Sequence, residues 1–158
     1  MSPSSTSLRD QVLAMGSSCY ALQARRTANQ LARTYNRALA HLNIEVAQFS
    51  TLCVIAAEKA LSVSDMAAHL GIERSTLVRN LKILERDELI RQSGREGRRI
   101  QYQITAKGSR LLNRALPVWH QLQNELGTAM GGVNGEPHRA LRALRDAARH
   151  ATAAASED

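Results

Sequence analysis

The 158-residue sequence contains few aromatic residues, few cysteines and no long apolar run. Aromatic side chains make up 3% of the chain, so a hydrophobic core must be built from Leu, Ala, Val and Ile. The longest uninterrupted apolar run, residues 52–57, is far shorter than the roughly 20 residues that a membrane-spanning helix needs. The opening MSPSSTS lacks the apolar stretch of a signal peptide. We therefore expect a cytoplasmic protein with no membrane partner.

The basic residues are concentrated in the middle of the chain. Lys and Arg number 21 against 14 Asp and Glu, which gives a formal net charge of +7. Residues 71–110 contain ten of the basic and five of the acidic side chains. A localised positive charge is typical of proteins that bind nucleic acid. A solvated basic face would have the same composition, so charge alone does not separate these two interpretations.

Apolar residues recur at helical spacing before this basic segment. The pattern predicts a helix over 8–42, with Gly16 breaking off a short first segment and Asn43 ending the helix. A second, mostly buried helix is predicted over 45–57. Residues 61–63 are predicted to form a short extended piece.

The basic segment begins with two predicted helices joined by a tight turn. Ser64 as an N-cap and Gly71 just beyond the last turn bracket the first helix. The second helix follows 72–75 and ends near Glu88. One of its sides carries three leucines: Leu77, Leu81 and Leu84. The opposite side, at 100° per residue, carries polar and basic residues: Ser75, Thr76, Arg79, Lys82 and Arg86.

Two short strands are predicted after these helices. Residues 89–93 and 100–104 alternate between apolar and polar with period two, the pattern of half-buried strands. The glycine-bounded turn GREGRR between them carries three arginines: Arg95, Arg98 and Arg99.

The rest of the chain is predicted to form two more helices. Thr105 caps the first, which carries an a/d seam over 112–129 and is expected to kink at Pro117. Glycines in 131–135 separate it from a last helix, whose apolar row covers 141–151. A single chain of this length has little with which to cover both rows, so an isologous homodimer is expected. Packing of the two rows on each other in a monomer is the alternative.

The order short helix, turn, helix, hairpin is that of a winged helix-turn-helix. Its second helix fits a DNA major groove about 12 Å wide, and Arg79 is the best placed residue for a bidentate contact with guanine. Ser75 and Thr76 would contact bases or phosphates, and the arginine turn would lie in a neighbouring minor groove. The predicted DNA-binding residues are Arg74, Ser75, Thr76, Arg79, Asn80, Lys82, Arg86, Arg95, Arg98 and Arg99.

The segments SVSDMAAHLGIERSTLVRNLKILERDELI and GREGRRIQYQITAKG closely resemble the MarR family of bacterial transcription regulators. The family's wing motif, Asp-x-Arg before a strand that ends in Leu-Thr-x-x-Gly, corresponds here to Glu96-Gly-Arg98 and Ile104-Thr-Ala-Lys-Gly108. The resemblance implies a mainly α fold with a small β-hairpin. It implies a winged helix-turn-helix domain at 45–105 and a helical dimerisation region at 8–42 and 106–154.

The same resemblance implies a homodimer that binds double-stranded DNA at a pseudo-palindromic operator. Such regulators usually repress transcription and are released by a small-molecule effector or by oxidation. Family pockets lie between the first helix, the dimer helices and the winged domain, and they often take small aromatic acids. The residues assigned to such a pocket are Cys19, Tyr20, Gln23, Arg26, Phe49 and Trp119.

Arg26 continues an apolar row of the first helix, Met15, Cys19 and Leu22, where an apolar side chain would be expected. A buried guanidinium needs an anion, and the carboxylate of a ligand would supply one bidentately. The alternatives are an acidic residue of the partner subunit, or water.

Cys19-Tyr-Ala-Leu22 resembles the reactive-cysteine motif of the family's organic-hydroperoxide-sensing branch, in which tyrosine hydroxyls hydrogen-bond the thiolate. Tyr35 matches one such tyrosine but lies two residues further from Cys19, and Val46 occupies the second position without a hydroxyl. With this set incomplete, Cys19 is interpreted as a small buried apolar residue, and Cys53 as part of the core. A thiol-based peroxide sensor is the alternative function.

No enzyme, cofactor or metal site is predicted. The sequence has no phosphate-binding glycine loop, nucleophile elbow or zinc-hydrolase helix. Asp65 and His69 share a helix face, but no third ligand is nearby in the sequence. The two cysteines are too few for a disulfide framework. An architectural DNA binder without a ligand pocket is a further alternative.

Overall fold

The computed structural model describes residues 7–57, 62–96, 99–132 and 135–154. These residues form a mainly helical fold with one antiparallel hairpin. In chain order the elements are α1 (Leu8–Ser18), α2 (Tyr20–Leu39), a 3₁₀ turn (Ala40–Leu42), α3 (Val46–Ala56), α4 (Val63–Leu70), α5 (Arg74–Arg86), β1 (Ile90–Glu96), β2 (Arg99–Ile104), α6 (Ala106–Ala129) and α7 (Glu136–Ala154).

The hydrophobic core lies where α3 packs against α2, α5, β2 and α6. α3 is apolar on most of its sides, since it reads VAQFSTLCVIA, and five of its eleven residues are buried. α5 contributes a single apolar face, and α6 adds Leu112 and Ala115 near its N-terminal end. The side chains in this core are mainly aliphatic, as the shortage of aromatic residues predicts.

The predicted first helix is divided at Cys19 and not at Gly16. Cys19 has an extended backbone (φ −69°, ψ 109°) and is both the C-cap of α1 and the N-cap of α2. Gly16 stays inside α1, because a glycine costs a helix only about 1 kcal/mol. The row Met15, Cys19, Leu22, Arg26 is therefore not continuous, and Arg26 is exposed in the single chain.

Two of the predicted helix ends are confirmed and one helix start is corrected. Asn43 (φ 53°) and Gly71 (φ 64°) are left-handed residues that end their helices. The N-cap of α4 is Ser62 rather than Ser64, because Ser62 has an aspartate three residues later and the two form a capping box. Val63 is consequently helical and not part of an extended piece.

The hairpin is longer than the sequence pattern predicts. β1 continues to Glu96, although Gly94 was expected to begin a turn. Gln92 pairs with Tyr102 and Gly94 with Gln101, so Ser93 is the extra residue of a β-bulge. The extra residue at the bulge shifts the alternation of apolar and polar side chains by one position. The second half of the strand therefore does not continue the period-two pattern of the first half. Gly97 and Arg98 lie outside the described residues.

The start of α6 is fixed to the base of the hairpin. As predicted, Thr105 is its N-cap: the hydroxyl accepts a hydrogen bond from the Gly108 amide (3.0 Å). The same hydroxyl donates to the carbonyl of Glu88 (2.7 Å). Gly108 is buried, and a Cβ there would lie 2.2 Å from the Leu89 carbonyl oxygen, so only glycine allows this approach. α6 then continues through Pro117 without a break.

No single helix in the described ranges is long and apolar enough to cross a membrane. The helical segments 20–42 and 46–56, which are bent by 75° relative to each other, have the length and apolar composition of a membrane span only when they are taken together.

Candidate nucleic-acid interface

α4, the turn after it and α5 form a helix-turn-helix unit. The left-handed Gly71 ends α4, and the amide of Ile72 donates to the Ala67 carbonyl (3.0 Å), which holds the turn against α4. α5 begins two residues later, at Arg74. Met66 and Ala67 of α4 are buried in the core that α5 also contacts. The packing of α4 therefore fixes the orientation of α5.

α5 has one buried and one exposed face, as the leucine spacing predicts. Leu77, Leu81 and Leu84 are at most 2% exposed. Six of the predicted DNA-binding residues are exposed on the other side: Arg74, Ser75, Thr76, Arg79, Lys82 and Arg86. The arrangement presents three arginines, a lysine and two hydroxyls to solvent, which we name the outer face of α5.

The structure does not place Asn80, one of the predicted DNA-binding residues, on the outer face of α5. Asn80 is only 7% exposed, because it follows Leu77 by three residues and precedes Leu84 by four, which places it within the apolar stripe. Its side-chain Nδ2 finds no hydrogen-bond partner among the described residues.

The charges on the outer face differ in how far they are neutralised. Arg86 Nε lies 2.8 Å from Asp87 Oδ1, and the hydrogen bond from Arg86 lowers the pKa of the Asp87 carboxyl. Arg74, Arg79 and Lys82 form no ion pair with any residue of the described ranges. The unneutralised positive charge therefore lies on the first two and a half turns of α5.

One side-chain hydrogen bond joins the hairpin to α5, and another joins the two strands of the hairpin. Gln92 on β1 donates to Glu85 of α5 (3.1 Å), and Arg91 donates across the sheet to Gln103 (3.2 Å). Burial, with a smaller contribution from Glu85, raises the pKa of the Tyr102 phenol. Arg95 and Arg99 lie on β1 and β2 beside the turn, whereas Arg98 falls outside the described residues.

The six predicted pocket residues do not line a single cavity of one chain. Arg26 lines a cavity of about 530 Å³ between α2, α6 and α7. Phe49 and Trp119 line another, of about 260 Å³, between α3 and α6. Cys19, Tyr20 and Gln23 lie at the start of α2, where Tyr20 is 75% exposed and Gln23 donates to the Ser17 carbonyl (3.4 Å).

The sequence-based prediction misses residues that meet only through the fold. Gln123 of α6 donates a hydrogen bond to the Tyr35 hydroxyl of α2, and His138 of α7 lines the same cavity as Arg26. Gln123 is 88 residues from Tyr35 in the chain, so no local pattern could pair them.

The sequence-based prediction also misses a second basic surface, on α6. Lys107, Arg110 and Arg114 line a groove of about 610 Å³ beside Arg86. These three residues are spaced by three and four along α6, a pattern that places them on one face of the helix and that the sequence already contains. No group of three or more His, Cys, Asp or Glu that could hold a metal occurs in the described part of the chain. The Asp65 carboxylate accepts from the hydroxyl of Ser62 (2.6 Å) in the α4 cap.

The packed α4–α5 pair, the exposed basic face of α5 and the adjoining hairpin define a winged helix-turn-helix protein. The family model described as MarR family matches residues 42–100. The transcriptional regulator MosR of M. tuberculosis is 36% identical, with a TM-score of 0.70, and the match covers 89% of this chain and 98% of that one. The chain belongs to the MarR family of DNA-binding transcription regulators.

Two further solved structures are informative. MosR in complex with DNA is 37% identical with a TM-score of 0.68, and the match covers 87% of this chain and 97% of that one. A MarR family protein of M. tuberculosis in complex with salicylic acid is 19% identical with a TM-score of 0.58; the match covers 80% and 93% of the two chains and shows a shared fold. No curated protein matches the sequence.

Proposed function

We propose that the chain is a homodimeric transcription repressor that binds a pseudo-palindromic operator and leaves it when a small-molecule effector binds. The observation that carries this proposal is the outer face of α5, which is basic, exposed and supported by a fully buried leucine face. MosR, which has the same fold and 37% identity, has been crystallised with DNA. We place the protein in the cytoplasm, where a bacterial regulator meets its DNA.

The outer face of α5 has the chemistry that a major groove requires. An α-helix fits this groove, and its N-terminal residues reach base edges while flanking groups contact phosphate. Arg79 lies in the second turn and has no ion pair in the described ranges, so its guanidinium is free for bidentate contact with guanine O6 and N7. Arg74 and Lys82, on either side of it, are placed for the phosphates.

The terminal helices are the proposed dimerisation region, 8–42 with 106–154, and 45–105 is the proposed DNA-binding domain. α1 exposes Leu8 (78%) and Leu13 (63%) in the single chain, and α7 has no fully buried residue among those described. Exposed apolar side chains on a helix favour an interface with another protein. A second copy that supplies the same helices would bury them about a two-fold axis.

Selection from a pool of random DNA duplexes tests this function. A two-fold dimer should enrich an inverted repeat whose half-sites are about one helical turn, 10–10.5 base pairs, apart. Enrichment of no sequence, with equal affinity for all duplexes, would instead identify an architectural DNA binder. The purified full-length chain is used, and binding to the enriched and scrambled duplexes is compared by fluorescence anisotropy at several salt concentrations.

The effector is proposed to be a small, aromatic acid. Arg26 remains the proposed partner of its carboxylate, since it forms no ion pair in the described part of the chain. The structural relative in complex with salicylic acid supports a site for such an acid on this fold.

A thiol-based peroxide sensor is the second candidate function, and one observation favours it. Cys19 is half-buried at the N-terminal end of α2, where the helix macrodipole favours negative charge. Within one chain the tyrosine that would support it is distant: Tyr35 is 16 residues further along α2, about 24 Å from Cys19 at 1.5 Å per residue. Its hydroxyl is already bound by Gln123. Burial raises the pKa of the Cys53 thiol, which disfavours its thiolate form.

We therefore expect the Cys19→Ser protein to bind and release operator DNA as the wild type does. Anisotropy titrations before and after treatment with cumene hydroperoxide measure this, with Cys53→Ser as the control. Release of the wild type by peroxide, reversed by reductant and lost only in Cys19→Ser, would establish the sensor instead.

A further inference from the structure

The groove of about 610 Å³ beside Arg86 lies where the end of α5 meets the first turns of α6, and we name it the basic groove. Four cationic side chains line it: Arg86 from α5, and Lys107, Arg110 and Arg114 from α6. Asp87 is the single acidic residue among its described lining. Arg86 also belongs to the outer face of α5, so the two basic surfaces are continuous.

The three cations of α6 share one face of the helix, close to its N-terminal end. Like charges three or four residues apart repel each other, and the helix macrodipole disfavours cations near an N-terminus. Lys107 is partly neutralised by the Glu88 carboxylate, 3.3 Å from its Nζ. Arg110 and Arg114 are exposed and form no ion pair with any residue in the described ranges. An external anion in the groove would offset this repulsion.

The first turns of α6 are held in a fixed position relative to the end of α5. The Thr105 hydroxyl donates to the Glu88 carbonyl (2.7 Å), and the buried Gly108 packs directly against the Leu89 carbonyl. Leu112, on the side of α6 opposite the cations, is part of the core of the winged domain. When α5 enters a DNA groove, the cations of α6 therefore take up a defined place beside the same duplex.

The chemistry of the basic groove favours DNA over a second copy of the chain. The exposed apolar side chains that favour contact between copies lie elsewhere, on α1 and α7, for example Leu8 and Leu141. Charged residues are depleted from the centres of protein interfaces, and burying four cations there would carry a desolvation cost. Duplex DNA instead offers one negative charge per about 1.7 Å of its axis and leaves the cations in contact with water.

We propose that the basic groove binds the phosphate backbone of the same DNA whose major groove receives α5, with Arg110 and Arg114 donating to phosphate oxygens. Arg86 joins the two surfaces, so the strand that borders the major groove passes from the outer face of α5 onto α6. Phosphate contacts carry no base information, and the groove therefore adds affinity without changing sequence preference. This inference rests on the proposed function, because α5 must first place the duplex.

Salt titrations of the double variant Arg110→Gln/Arg114→Gln test the contact. In 50 mM salt we expect binding to the selected operator to be about tenfold or more weaker, because charge-assisted hydrogen bonds are lost. The slope of log K against log salt should fall in magnitude by about 0.9 per lost phosphate contact, or about 3.6 for the four contacts of a dimer. The ratio of affinities for selected and scrambled duplexes should stay unchanged.

Arg142→Gln/Arg145→Gln is the matched control. It removes the same charge from two exposed arginines of α7 that do not line the groove, so it accounts for the effect of net charge alone. Asp87→Asn is the opposite change, since it removes the one acidic group among the described lining residues. It should strengthen binding severalfold on every sequence, a gain that damage to the fold would not produce.

Interference by ethylated phosphates locates the contact on the DNA. Ethylation of the contacted phosphates should weaken binding of the wild type and should have no further effect on Arg110→Gln/Arg114→Gln. Operator binding with an unchanged salt slope and interference pattern in this variant would overturn the inference and leave the proposed function intact. The same result with an altered mass by light scattering would assign the groove to contact between copies. A wild type that binds no duplex would contradict both.

Discussion

Replacing Arg79 with alanine should weaken operator binding strongly and relax the preference for one base pair in each half-site. Arg79 is exposed in the second turn of α5, with no competing ion pair in the described ranges. A bidentate contact with guanine discriminates by about 1–3 kcal/mol, so two copies in a dimer lose about 2–6 kcal/mol. Anisotropy titrations against the selected operator and its single-base variants measure both effects.

Lys82→Ala is the matched comparison on the same face, one turn further along. Its ammonium is a point charge, placed for phosphate, so binding should weaken evenly over all sequences. The slope of log K against log salt should fall in magnitude by about 0.9 for each phosphate that the protein no longer neutralises. Arg37→Ala, on the exposed end of α2, should change neither property. If Lys82→Ala relaxed the base preference and Arg79→Ala did not, their roles would be exchanged.

A chain that ends at Gly132 should fold but should be monomeric, with operator affinity about 100- to 10,000-fold weaker, because the second half-site no longer adds its contribution. This deletion removes α7, none of whose described residues is fully buried, and leaves the core intact. A cut at Gly108 would be less informative, since it removes Leu112 and Ala115 from the core.

Light scattering gives the mass, and the thermal midpoint shows whether the shortened chain stays folded. Leu144→Glu, within the apolar row of α7, should reproduce the loss of the dimer, whereas Arg142→Gln on the same helix should not. A folded dimer after removal of α7 would move the interface to α1, α2 and α6.

The faces of α5 were predictable because two independent patterns agree there. Leucines at helical spacing define the buried side, and basic residues define the exposed side, so periodicity alone orients the helix. Asn80 shows where this reasoning fails. Its polarity favours the exposed face, whereas its position lies between the leucines, and the position decides because the backbone fixes the direction of each side chain.

The break at Cys19 and the capping of α4 follow from local backbone geometry. An extended residue at Cys19 ends one helix and begins the next without glycine or proline, so the sequence contains no marker for it. Ser62 and Asp65 form a capping box that is recognisable in the sequence, but the sequence analysis assigned the N-cap to Ser64 instead.

The cavity between α2, α6 and α7 was the least predictable feature. It depends on side chains from α2, α6 and α7 that are distant in the chain, such as Tyr35 and Gln123. Helical spacing identified Arg26 as an exception in an apolar row, but only the packing of the helices shows which residues surround it. Sequence patterns describe single elements well, and a site built between elements requires their arrangement.

Protection of guanine N7 from methylation by dimethyl sulfate tests most directly whether α5 reads bases from the major groove. N7 is a major-groove atom, so bound wild-type protein should protect guanines in two half-sites about one helical turn apart. Arg79→Ala, at a concentration that restores full occupancy, should lose protection at one guanine in each half-site. Saturated DNA whose guanine N7 atoms all remain reactive, with protection only at adenine N3 in the minor groove, would contradict this mode of binding.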